Sequence, residues 1–143
     1  MRIDGSCHCR NITFVLDWTP DPSEIAARAC TCSFCVKHGG LWTSCPTGSL
    51  EARVADRSRV NSYAFGTATA RFHVCSVCGV VPLVTSQIGG VLYAVVSVNA
   101  FEGVDPALLR RSPVSFDGEG TGDRLARRQR NWIPRVAIAG LDA

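Results

Sequence analysis

The sequence predicts a mainly β chain with few, short helices, and three observations carry that prediction. Beyond Asn61, four runs rich in β-branched and aromatic residues follow one another, at 62–65, 69–74, 80–85 and 91–98. Turn formers separate them: Gly66, then Ser76-Val77-Cys78-Gly79, then residues 87–90. Near the N-terminus, Ile12, Phe14 and Leu16 recur with period two and mark a half-buried strand over 11–16.

The remaining elements follow in order. Residues 17–23 (DWTPDPS) read as a loop. Residues 25–32 are ambiguous, since their alanines favour helix and their cysteines favour an extended run. Val36-Lys37-His38 followed by Gly39-Gly40 reads as a helical turn with a glycine stop. Residues 41–45 are a candidate strand closed by Pro46-Thr47-Gly48. Asp105 followed by Pro106 is an N-cap with proline at the first helical position, which predicts one helical turn. Residues 114–116 form a last strand before the Gly-rich stretch 117–122, and 124–132 have helical composition with a weak period.

At 143 residues the chain has the length of one domain, spanning 1–143, with an Arg-rich C-terminal segment over 110–143. Its 46% hydrophobic and 19% charged residues are a globular composition. The longest apolar run, 91–96, is of strand length, far below the roughly 20 residues that cross a bilayer. Met1-Arg2-Ile3-Asp4-Gly5 has no apolar stretch of the signal-peptide type. We therefore expect no membrane association and a reducing, cytoplasmic setting. The formal charge is +3, and residues 110–135 hold seven arginines against three acids, so that segment is +4 and the remainder −1.

Eight cysteines in a reducing compartment point to metal or redox chemistry and not to disulfides. Seven fall into three groups: Cys7-x-Cys9, Cys30-x-Cys32-x2-Cys35 and Cys75-x2-Cys78, with Gly79 after the last. On an extended chain both side chains of a C-x-C pair leave the same face and can converge on one ion. In C-x2-C a turn folds two thiolates toward one point, and a following glycine supplies the positive φ. A closed structural zinc takes four ligands, whereas a catalytic one keeps three and an open position, and seven sulfurs divide naturally that way. Spacing alone does not say which groups share an ion. Cys7, Cys9, Cys75 and Cys78 form one partition; joining the triplet to a residue from elsewhere is another. Cys45 stands apart and reads as a small core residue on a strand.

Gly5-Ser6-Cys7-His8-Cys9, Cys30-Thr31-Cys32-Ser33-Phe34-Cys35 and His73-Val74-Cys75-Ser76-Val77-Cys78-Gly79 together resemble the glutathione-dependent formaldehyde-activating enzyme family, which also includes centromere protein V. Residues 63–70 resemble the family's segment ahead of its last cysteine pair, and the likeness runs from about Gly5 to Phe116. It implies a β-tent fold similar to the guanine-nucleotide-release chaperones, with two zinc sites. It also implies that Cys7, Cys9, Cys75 and Cys78 hold a structural zinc, and that Cys30, Cys32 and Cys35 hold a catalytic, more labile one. The founding enzyme adds glutathione to formaldehyde, giving S-hydroxymethylglutathione, so the resemblance implies a carbon–sulfur lyase acting on a thiol such as glutathione. The chain is most similar to the shorter, general members.

Other residues are weighed beside these. His8 is expected at the surface or bonding near the ligands, His38 at a solvated helix end or turned toward an open zinc position, and His73 on the strand face of Cys75, either bonding a zinc-bound sulfur or simply packing. Arg124, Arg127 and Arg128 are expected in ion pairs or as an anion clamp near the zinc pocket, with Trp132 as a buried anchor. The Gly-rich stretches lack the strand-to-helix context of a nucleotide loop. An enzyme working on a small-molecule thiol is the first reading. A non-enzymatic zinc module binding protein or nucleic acid through its arginines is the rival, and we expect no nucleic-acid partner, because acids interleave with the arginines. An enzyme should show a cavity at the three-cysteine site; a binding module should show that site closed by a fourth ligand.

Overall fold

The computed structural model describes residues 1–141. Among the described residues twelve strands form two sheets, joined by two α-helices and short 3-10 turns. The strands are β1 Arg2–Ser6, β2 Ile12–Asp17, β3 Ile25–Cys30, β4 Trp42–Thr43, β5 Ser49–Val54, β6 Val60–Tyr63, β7 Arg71–Cys75, β8 Leu83–Ile88, β9 Val91–Ser97, β10 Phe101–Glu102, β11 Leu109–Val114 and β12 Arg135–Ala139. Helix α1 is Ser33–His38 and α2 is Thr121–Asn131. The five-stranded sheet runs β10-β1-β2-β5-β12 and the seven-stranded one β11-β3-β4-β9-β8-β7-β6. Pairing is antiparallel except where β11 lies parallel to β3 and β12 parallel to β5. The mainly β expectation holds.

The main core lies between the sheets. Ile12, Phe14 and Leu16 of β2 are all buried, as their alternation requires, and meet Ile3, Ile25, Leu50, Leu83, Val96 and Ile133. A second cluster, Trp42, Val84, Val95 and Trp132, lies under α2. The segment leaving α2 is fastened by two backbone bonds between Ala94 and Ile133, at 3.0 and 2.9 Å. Strand β12 then adds to the edge of the first sheet at β5. The Arg-rich segment is thus integral to both sheets.

Several boundaries differ from the sequence reading, each for a local reason. Residues 25–30 are strand, because Ile25 and Ala27 point into the core. Strand β8 starts at Leu83 and not at Val80, because the Val80 carbonyl closes the turn to the Cys75 N–H (3.0 Å) and Pro82 has no N–H to give. The candidate strand 41–45 shrinks to Trp42–Thr43, and Cys45 sits beyond it in the bend to Pro46. Cys45 is buried as expected, but not on a strand; its thiol faces the Thr19 carbonyl at 3.7 Å. The strand placed at 114–116 lies earlier, as β11, and tolerates Pro113 because it is a sheet edge.

Candidate metal centres

The first cysteine cluster joins two turns far apart in sequence. Cys7 and Cys9 lie on the turn between β1 and β2, where the Arg10 N–H donates to the Cys7 carbonyl (3.1 Å) and Arg10 takes φ 68. The extended C-x-C geometry is therefore not used here: the turn, not strand alternation, brings the Cys7 and Cys9 sulfurs to 3.8 Å. Cys75 ends β7, and the Gly79 N–H donates to its carbonyl at 2.8 Å, with Gly79 at φ +79 as the knuckle demands. The Cys9 and Cys75 sulfurs are 3.4 Å apart, and all four lie within 4.8 Å of one another. Tetrahedral zinc with 2.3 Å bonds separates its sulfurs by roughly 3.8 Å, so the donor set fits that ion.

Local hydrogen bonds divide the protons unevenly in this cluster. Burial pushes the Cys7 thiol up to about 12, against the Ile12 N–H that donates to its sulfur at 3.3 Å. For Cys78 burial also acts upward, but the N–H groups of Cys9 and Val80, with the Cys75 and Cys7 thiols, outweigh it and hold Cys78 at about 6. A bound cation would take all four as thiolates.

The second cluster is built at the exit of β3. Cys30 is its last residue, and the Thr31 N–H continues the pairing with β11 at the Val114 carbonyl (3.0 Å). Cys32 is extended (φ −63, ψ 158) and caps α1, its sulfur accepting from the Cys35 N–H at 3.4 Å. Here the extended C-x-C reading holds. Gly39, at φ +63, stops α1 as the sequence suggested. The Trp42 indole N–H donates to the Cys35 sulfur at 3.4 Å. The three sulfurs lie within 4.8 Å of one another and make a second donor set fit for a soft cation. A hydrogen bond from Cys35 draws Cys30 down to about 5, and the same bond, with burial, drives Cys35 upward.

This cluster faces a cavity of about 400 Å³. Trp42, Phe72, Val84, Val95 and Trp132 give it apolar walls, and Arg28, Arg124, Arg127 and Arg128 line it as well. Glu119 organises part of the arginine wall. It takes two bonds from Arg127, at 3.0 and 3.1 Å, and lies 3.7 Å from the Arg124 Nε. Arg127 in turn lies 3.6 Å over the Phe116 ring. That pairing holds the Gly-rich stretch against α2, which gives the stretch a structural use in place of phosphate binding.

The family model for the glutathione-dependent formaldehyde-activating enzyme matches residues 2–108, well over half the chain. The chain belongs to this family. Both cysteine clusters fall inside the matched residues, whereas α2 and β12 lie beyond them. Among solved structures, a crystal structure of a Rhodobacter sphaeroides protein is similar, with 26% identity and a TM-score of 0.56 over 73% of this chain and 92% of that one. No curated protein matches the chain.

The structure brings together every cysteine singled out as a ligand, in the partition that the family resemblance favoured. His8 is exposed, and His38 is an exposed helix-end residue against the Phe34 ring (4.5 Å). His73 bonds Thr85 at 2.7 Å and packs; burial, then Arg71, lowers it to about 4. Trp132 is only 8% exposed. Sequence reading missed Arg28, although period two from Cys30 puts it on the same strand face. It also missed the apolar wall apart from Trp132 at the end of α2, since Trp42, Phe72, Val84 and Val95 come from four strands and have no common spacing.

Proposed function

We propose that the protein is a zinc-dependent enzyme of the carbon–sulfur lyase type, a single zinc-binding β domain over residues 1–143. It would act on the adduct of a thiol with a small aldehyde, S-hydroxymethylglutathione being the adduct its family points to. The observation that carries this reading is the cavity on which Cys30, Cys32 and Cys35 open. In this reading Cys7, Cys9, Cys75 and Cys78 hold the structural ion and Cys30, Cys32 and Cys35 the reactive one. Among the described residues the second cluster has three members and His38 is not one of them, which favours an enzyme over a closed binding module.

When bound at three thiolates, zinc supplies an open position where a substrate thiol is held as thiolate, its nucleophilic form. The protein's own groups do the rest. The Cys35 N–H and the Trp42 indole direct hydrogen bonds at the Cys32 and Cys35 sulfurs and fix where they sit, and the indole bond opposes the upward push on Cys35. The apolar walls exclude water, which strengthens these contacts. The cavity holds the two reactants together and so removes most of the entropic cost of their encounter. In the adding direction the thiolate sulfur bonds to the aldehyde carbon, the carbonyl pair moves to oxygen, and the proton lost from the thiol ends there.

The test is nuclear magnetic resonance of ¹³C-formaldehyde with glutathione, following adduct formation against the spontaneous reaction. The zinc-loaded protein should accelerate equilibration, and Cys32→Ser should not. A wild-type rate equal to the spontaneous one at full zinc loading removes the glutathione–formaldehyde reading.

A further inference from the structure

We infer that Arg28 and Arg128 form an anion subsite that takes a carboxylate carried on the thiol substrate. This deepens the proposed function and rests on its reading that a thiol enters at Cys30, Cys32 and Cys35.

The argument begins with charge. Four arginines line the cavity; the carboxylates beside them are Glu119 and, at the exposed rim, Asp117. That leaves an excess of two positive charges among these side chains, and three thiolates with a divalent ion would offset only one of them. Glu119 is occupied by Arg127 and Arg124. Among the described residues neither Arg28 nor Arg128 has an ion-pair partner.

Neutral groups hold both guanidiniums in place instead. The Arg28 Nη2 donates to the Ser44 hydroxyl at 2.8 Å, and that hydroxyl donates to the Asn131 carbonyl at 2.7 Å. The Arg128 Nη1 donates to Thr69 (2.8 Å) and Ser86 (3.1 Å), its guanidinium lies 5.0 Å from the Trp132 ring, and its Nε has no partner. Arg128 is only 6% exposed. A cation so buried without a counterion is unfavourable for folding and is kept where an anion relieves it. Burial, and then Arg127 and Arg124, lower Arg128 to about 10 against the opposing charge of Glu119. A planar carboxylate matches guanidinium donors held in fixed positions.

Position strengthens the case. Arg28 lies two residues before Cys30 on β3, so charge and sulfur share one strand face. Arg128 comes from α2, outside the residues that match the family. The subsite is therefore completed by the chain's own C-terminal segment. A substrate spanning both features carries a thiol at one end, a carboxylate at the other, and an apolar body between them against Trp42, Phe72 and Trp132.

Calorimetric titration of the zinc-loaded protein tests this with 3-mercaptopropionate, 2-mercaptoethanol and propionate. The charged thiol should bind about tenfold or more tightly than the neutral one, the gain of one charge-assisted pair. Arg28→Gln should bring that ratio close to one while leaving 2-mercaptoethanol unchanged. Arg128→Met should do the same, and if it fails to fold, Arg28→Gln, at a half-buried position, carries the test. Equal affinity for the two thiols in the wild type, or an unchanged ratio in Arg28→Gln, overturns the subsite and leaves the thiol reading standing. Propionate binding that depends on Arg28, with no binding of either thiol, supports the subsite and removes the thiol reading. Equal affinity for 2-mercaptoethanesulfonate overturns the assignment to a carboxylate.

Discussion

The two cysteine clusters use one ligand type in two different surroundings. Cys7, Cys9, Cys75 and Cys78 draw on two turns, with Cys9 and Cys75 lying 66 residues apart, and Cys7 and Cys75 are fully buried in the main core. Cys30, Cys32 and Cys35 lie within six residues of one another, and their surroundings are a cavity with apolar and arginine walls. The first cluster closes a long loop and has a fourth sulfur. The second closes almost no loop, and its position is set by β3 and α1 already in place. Sulfur count and sequence separation together therefore distinguish a cluster that assembles the fold from one that the fold assembles.

Removing one sulfur from each cluster is the strongest way to break that contrast. Cys75→Ser should remove the fold or lower stability by an amount comparable with a whole domain's, on the order of 5 kcal/mol or more, because metal binding there is folding free energy. Thermal unfolding with zinc analysis checks it, and a variant with wild-type melting and zinc content contradicts the assignment. Cys32→Ser should lose one metal equivalent and the activity while melting within a few degrees of wild type. Under a mild chelator the wild type should release one ion well before the other, and equal release rates would erase the distinction.

The cavity wall offers a smaller lever. Trp132→Ala should cost about 3 kcal/mol, the usual loss for a buried tryptophan. The effect arises because Trp132 packs in the cluster under α2 and stands beside Arg128. The metal content of both sites should stay unchanged, so the same unfolding and zinc measurements separate wall from ligands.

Much of the two clusters' local logic was legible in the sequence and less of the fold's edges. The Cys75–Gly79 knuckle and the Gly39 stop carry their own local chemistry, so both read correctly. Strand β5 was missed although Leu50, Ala52 and Val54 alternate inward, because Glu51, Ala52 and Arg53 also suit a helix and only pairing with β2 decides. Strand β12 depends wholly on the edge of β5, a partner more than eighty residues away. The short turn at Cys7–Arg10 was misread as extended because a positive φ at arginine has no sequence signal. Trp132 and the arginines were readable as a docked segment, in ion pairs or near the zinc pocket, but which arginine pairs with an acid and which lines the cavity unpaired needed the path of α2.

The smallest effect concerns Glu119, the acid that organises the arginine wall. Its side chain is 17% exposed, and its hydrogen bonds from Arg127, then the charges of Arg127, Arg124 and Arg128, hold its carboxyl below the usual range against the opposing effect of burial. A carboxyl depressed in the folded state stabilises the protein fully above its unfolded value near 4.3, and that contribution is lost as pH falls through the lower folded value. Glu119→Gln should therefore lower stability by about 1 kcal/mol at neutral pH, or about 3 °C in melting temperature. The gap to wild type should stay flat from pH 8 to 5 and narrow only below about 4.3. Metal loss in acid falls on both proteins alike, so the difference isolates the carboxyl. The variant also leaves Arg127 and Arg124 without their acid, which adds to the positive excess at the cavity. Its affinity for 3-mercaptopropionate should rise while 2-mercaptoethanol is unaffected. A gap that widens on acidification, or an affinity that falls, would mean that Glu119 serves the cavity in some other way than by neutralising its arginines.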